Sequence, residues 1–138
     1  MDSQGNLTEL LSKKPSNEFV GKSVLEAMQK EDVQKFIVPI EENLDLLPAN
    51  NFLATFPRWI YTGKTYQGES VPFYGSPTLV LDRTLNQIRD HYDFILIDTP
   101  PSLVNKPQTP YVQVSMSLYC LKVQIGVIRL FLISWILS

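Results

Sequence analysis

Cysteine and histidine are almost missing from this chain: Cys120 and His91 stand alone among 138 residues. A single cysteine excludes an internal disulfide framework, and the two side chains together offer no metal-ligand cluster. Acids and bases nearly cancel, leaving a formal charge of −2 and no global attraction to nucleic acid. The first residues lack the basic, apolar and small-residue succession of a signal peptide. No internal repeat is visible. No Asp or Glu follows Asp98, and the most apolar run of the acid-free region is Val123–Leu137, interrupted by Gln124, Gly126, Arg129 and Ser134. Spanning a bilayer takes about 20 mostly apolar residues, and Arg129 lies well inside this run, so a membrane anchor is not expected. The length suffices for one domain with a real core.

A glycine-rich phosphate loop is also lacking. Val20-Gly21-Lys22-Ser23 has the ending of one, but the pattern GxxxxGKS/T needs glycine at position 16, where the chain has Ser16. The preceding residues, Lys13 to Asn17, form a polar turn rather than an apolar strand. Ser23 with Glu26 three residues later fits a helix capping box instead.

What the chain does have is Tyr92–Leu103, Tyr-Asp-Phe-Ile-Leu-Ile-Asp-Thr-Pro-Pro-Ser-Leu. The apolar run Phe94–Ile97 reads as a strand buried on both faces, as in a parallel sheet, and it ends in Asp98. Ligands of open α/β sheets bind at the carboxyl ends of such strands. A carboxylate there is placed to hold a metal-bound phosphate, or simply to cap a strand-to-loop junction.

Elsewhere helices and strands alternate. Asn6 caps a first helix, with Glu9 at the capping-box position and Leu7, Leu10 and Leu11 on one face. Ser23–Lys30 reads as a short helix, and Lys35–Val38 and Leu44–Leu47 read as strands. Residues 50–75, rich in aromatics, Gly and Pro, read as a loop packed over the sheet, with a partner surface as the other reading. Ser76-Pro77 opens a helix on which Leu81, Leu85, Ile88 and Tyr92 recur at helical spacing and face the sheet. His91, near its end, reads as a surface residue favoured by the helix dipole.

Three segments carry a family resemblance. Tyr92–Leu103 resembles the Walker B segment of the ParA/MinD (deviant Walker) ATPases. Asp2-Ser3-Gln4-Gly5-Asn6-Leu7-Thr8 is similar to their DPQGNxT switch segment, with Ser3 in place of the usual proline. Glu42-Asn43-Leu44-Asp45-Leu46-Leu47-Pro48-Ala49 resembles their ENLDLIPA strand and turn. The three occur in family order over roughly residues 1–103.

The resemblance implies a partition ATPase of plasmids or chromosomes, cytoplasmic, using ATP and Mg²⁺. It implies an α/β fold: an incomplete P-loop NTPase-like parallel sheet flanked by helices, lacking the phosphate-loop unit. By the same resemblance Asp98 supports Mg²⁺ through water, and Asp2 is the switch acid that orients the attacking water. The intact family dimerises across the nucleotide, binds DNA nonspecifically and answers to a ParB-like centromere-binding partner. The family's KGGVGKS/T cradle precedes the DPQG segment and is not among these residues, so the chain is expected to be inactive by itself. The other readings are a non-catalytic remnant, a partner-binding fragment, and a fragment of a MinD-like positioning ATPase.

Beyond Leu103 the resemblance breaks off. Back-translation of Leu103–Leu118, read from the third base of the Leu103 codon, permits a family-like continuation: Gly or Ser, then Glu-Gln-Thr-Thr-Asn-Ala-Leu. The expectation is a partial ParA-like ATPase domain at 1–103, truncated at its N-terminus. Residues 104–138 are expected to be an apolar, frameshifted tail outside the native fold.

Overall fold

The computed structural model describes residues 6–98 and 130–134. Four helices and four strands are present among them: α1 (Asn6–Ser12), α2 (Val24–Lys30), β1 (Val38–Glu41), β2 (Leu44–Leu47), α3 (Phe56–Thr62), α4 (Val80–Asn86), β3 (Phe94–Asp98) and β4 (Leu130–Ser134). Short 3-10 turns lie between them.

The sheet runs in the order β1-β2-β4-β3. β4 pairs in parallel with β2 on one side and with β3 on the other, Ile133 standing opposite both Leu47 and Ile97. β1 and β2 are antiparallel. The α/β class holds, but the expected parallel sheet is corrected to a mixed one. The reason is local: Glu42-Asn43 is a two-residue turn, whereas a parallel connection needs a dozen residues or more. β1 also starts later than expected, because residues 34–36 form a 3-10 turn that buries Phe36. Pro39 is tolerated in β1 because this is an edge strand. β4 lies in the segment for which the sequence foresees no place in the native fold. Its backbone pairing needs only N–H and C=O groups in register.

The core lies where the helices meet one face of the sheet. Val24, Leu25, Ala27 and Met28 of α2 join Leu47, Ala49, Leu53, Phe56 and Trp59, together with Leu81, Leu85 and Ile88 from the α4 region. The last three follow the helical spacing foreseen for them, and Tyr92 packs partly against the same cluster. Ile95 and Ile97 of β3 touch this cluster, whereas Leu96 between them is 50 % exposed. β3 is therefore covered on one face only, which corrects the expectation of burial on both.

Two further corrections concern α1 and residues 50–75. Leu10 is 60 % exposed, and Thr8, not Leu10, is the fully buried residue of α1. The carboxylate of Glu9 accepts from the Ser16 N–H at 2.9 Å, which holds its pKa below the usual value; the cap position before α1 lies outside the described residues. Residues 50–75 include a helix, α3, with Pro57 in its first turn and Gly63 in the left-handed conformation at its end. This is the usual asymmetry of helix start and stop. Trp59 and Phe56 are buried there, while Tyr61 is 71 % and Tyr74 76 % exposed.

Candidate functional site

β2, β4 and β3 run parallel, so their carboxyl ends share one edge of the sheet, the edge at which open α/β sheets bind ligands. Asp98 is the last residue of β3; it is exposed and stands in register with Ser134 at the end of β4. The acid singled out from the sequence is thus a strand-terminal carboxylate open to solvent. Asp2 lies outside the described residues.

The end of β2 is a meeting point for the chain. Pro48 accepts from the Val24 N–H at 2.8 Å, which sets the start of α2. Ala49 donates its N–H to the Thr8 hydroxyl oxygen at 3.0 Å, in a buried bond between residues 41 apart in sequence. Asn50 donates from its side chain to the Phe19 carbonyl at 2.9 Å. Thr8 ends the first motif segment and Ala49 ends the second, so this bond ties the two together. At the opposite ends of the strands, the Tyr92 hydroxyl donates to Asp45 Oδ2 at 2.6 Å. That bond ties the second segment to the third. Sequence reading identified all three segments but neither contact. Neither contact has a signal in the sequence: the packing of α1 against the end of β2 brings Thr8 to Ala49, and the sheet, with β4 between β2 and β3, brings Asp45 near Tyr92.

The Gly21-Lys22-Ser23 segment is settled by its geometry. The Ser23 N–H and hydroxyl both bond to Glu26 Oε2, and Ser23 Oγ accepts from the Leu25 N–H at 3.3 Å. This is the capping box expected from the sequence. The start of α2 already faces a buried carboxylate, and that charge opposes a phosphate. Glu26 also helps keep the Tyr66 hydroxyl protonated, its pKa raised chiefly by burial. His91 is exposed, as foreseen.

Among the described residues no group of three or more His, Cys, Asp or Glu side chains is arranged to hold a metal ion. Asp98 alone is the wrong donor set for a nucleotide-bound Mg²⁺: one carboxylate can orient a water, but it cannot hold phosphates.

A family model described as an AAA domain matches residues 1–113. The chain belongs to this AAA-domain family, of ParA/MinD type. A ParA family protein of Chlamydia pneumoniae is 28 % identical over 121 residues, covering 86 % of this chain and 43 % of its own. An uncharacterized protein of Methanocaldococcus jannaschii is 29 % identical over 77 residues, covering 56 % of this chain and 26 % of its own. The AAA-domain chain thus spans less than half the length of these curated relatives. No solved structure matches it significantly. Among the described residues no helix is long and apolar enough to cross a membrane.

Proposed function

We propose that these residues form part of the ATPase core of a ParA-like partition protein with a P-loop NTPase-like fold, and that the 138-residue chain neither binds nor hydrolyses ATP on its own. The observation that carries the reading is the joining of the three motif segments. Thr8 bonds to Ala49 and Asp45 to Tyr92, while Asp98 projects at the carboxyl edge of the parallel strands. A scaffold of that kind positions a metal-supporting acid. Phosphoryl transfer also requires a cradle that neutralises the phosphates, and GKS at 21–23 is spent on capping a helix.

In the complete protein Asp98 then supports Mg²⁺ through water and Asp2 acts as the switch acid. The further properties proposed for that protein are those of the family: a dimer across the nucleotide, nonspecific DNA binding, a ParB-like centromere-binding partner and a place in the cytoplasm. Residues 104–138 are proposed to be translated out of frame, which sequencing of the gene tests through the codons for 103–118.

Calorimetric titration of the full chain with Mg²⁺-ATP tests the activity claim. No saturable heat is expected up to millimolar nucleotide. Saturable binding that disappears in Asp98→Asn would show that the chain holds a working nucleotide site.

A further inference from the structure

β2 and β3 run parallel and end at one edge of the sheet, but they do not pair with each other: β4 lies between them. Every β4 residue from Leu130 to Ile133 has a partner on both sides. Phe131 stands opposite Asp45 and Ile95, and Ile133 opposite Leu47 and Ile97. β2 and β3 are therefore held two strand spacings apart, roughly 9–10 Å, with their rows in register across the gap.

Contacts other than those of β4 set that gap. The Tyr92 hydroxyl, just before β3, reaches across it to Asp45 of β2 at 2.6 Å. On one face Leu47 of β2 belongs to the helical core, and Ile95 and Ile97 of β3 pack against the same core. The end of β2 is fixed by the bonds of Val24 to Pro48 and of Ala49 to Thr8. β4 itself packs mainly on its two neighbours, β2 and β3, among the described elements. Residues 99–129 separate it from β3 in sequence. The gap is thus built by one part of the chain and filled by another.

Such a gap offers an arriving strand two rows of backbone N–H and C=O groups. Backbone bonds supply affinity, and side chains on the covered face select. Positions matching Phe131 and Ile133 lie in register with Ile95, Ile97 and Leu47, which meet the helices, so a strand seated there must be apolar at both. Proline is excluded, because a central strand bonds on both sides.

We propose that the gap between β2 and β3 is a strand-binding site for an extended apolar segment of a partner chain, seated in parallel, and that β4 fills it in cis as an exchangeable plug. The site uses neither the Asp98 carboxylate nor nucleotide, so it stands or falls independently of the ATPase reading.

The test uses a synthetic peptide, Leu-Phe-Leu-Ile-Ser flanked by lysines for solubility, with a photoreactive benzophenone in place of its phenylalanine. It is irradiated with the full chain, and the cross-links are mapped by mass spectrometry. Labelling is expected within β2 and β3, beside Asp45 and Ile95. Tethered β4 competes at an effective concentration of about 1 mM, so labelling of the unaltered chain should rise only toward millimolar peptide. Leu132→Pro expels β4 and should raise labelling at low peptide by about tenfold or more. In that variant the unmodified peptide should also raise the thermal midpoint saturably. A peptide with aspartate in place of isoleucine should fail in both assays. If Leu132→Pro does not fold, the unaltered chain decides alone. No labelling at millimolar peptide, labelling scattered outside β2 and β3, labelling unchanged by Leu132→Pro, or equal performance of the aspartate peptide would overturn the proposal.

Discussion

β2 and β3 are both apolar strands that pair with β4 and end at the same edge of the sheet, yet they are buried differently. Leu46 and Leu47 of β2 are completely inaccessible, while Leu96 of β3 is half exposed and Ile95 and Ile97 are only partly covered. Composition does not separate them; neighbours do. β2 is flanked by strands on both sides and leads into the Pro48–Asn50 junction, on which α1, α2 and the turn at Phe19 converge. β3 is an edge strand with the helical cluster on one face. An apolar run thus reports that a strand can be buried, and the topology decides how far.

The largest effects should break this comparison if it is wrong. Leu47→Ala removes a fully buried side chain and is expected to cost about 2–5 kcal/mol, whereas Leu96→Ala should stay within about 0.5 kcal/mol. Urea denaturation of both variants checks this, and equal costs would mean that β3 is buried as deeply as β2. Next come the two bonds between motif segments. Thr8→Val strands the buried Ala49 N–H, and Tyr92→Phe removes a donor to a carboxylate; each is expected to cost about 1–3 kcal/mol in the same assay. The double variant tests independence, because the two bonds lie at different ends of β2 and their costs should add.

The capping box is a smaller matter. Ser23→Ala should destabilise by about 1 kcal/mol and Ser23→Asp by less, since aspartate also caps. Glu31 ends α2 in the left-handed conformation, with a φ of 50°. Glu31→Gly relieves that strain while leaving intact the backbone carbonyl that accepts from the Gln87 side chain at 2.9 Å. A gain of about 0.5–1 kcal/mol is expected, read as a higher denaturation midpoint.

The smallest effect is on pH dependence. Glu9 has its pKa lowered from 4.5, first by the Ser16 N–H, and Asp32 from 3.8, first by Lys35, whose Nζ lies 2.6 Å away. A lowered folded-state pKa means that each carboxylate contributes stability above its unfolded value. That stability is lost as the pH falls through the lowered folded value. Glu9→Gln and Asp32→Asn should therefore lower stability slightly above about pH 5, where the charged forms contribute, and leave it almost unchanged at pH values below the lowered folded pKa, so that the acid limb flattens. Glu9 is exposed and Asp32 is only partly buried, so the effect is also expected to shrink in high salt.

Much of the framework was legible because it depends on local rules. The capping box at Ser23, the span of β2, the strand ending at Asp98 and the buried row Leu81, Leu85 and Ile88 all follow from spacing and end signals. α3 was also within reach, since Pro57 and Gly63 mark its two ends, but the density of aromatics suggested a loop. Leu10 and Thr8 show the limit of reading by hydrophobicity: a threonine was buried because Ala49 needed an acceptor, and a leucine was left outside. The contacts that join the motif segments were not legible, because they depend on how α1 packs on the end of β2 and on the order of strands in the sheet.

The central claim is that the motif segments are held together as a scaffold that bears Asp98 without a grip on nucleotide. Thermal unfolding of the full chain with and without millimolar Mg²⁺-ATP tests it most directly, because any ligand that binds the folded state raises the midpoint with its concentration. The account predicts the same midpoint at every nucleotide concentration, for the unaltered chain and for Asp98→Asn alike. A midpoint that climbs with Mg²⁺-ATP in the unaltered chain but not in Asp98→Asn would contradict it.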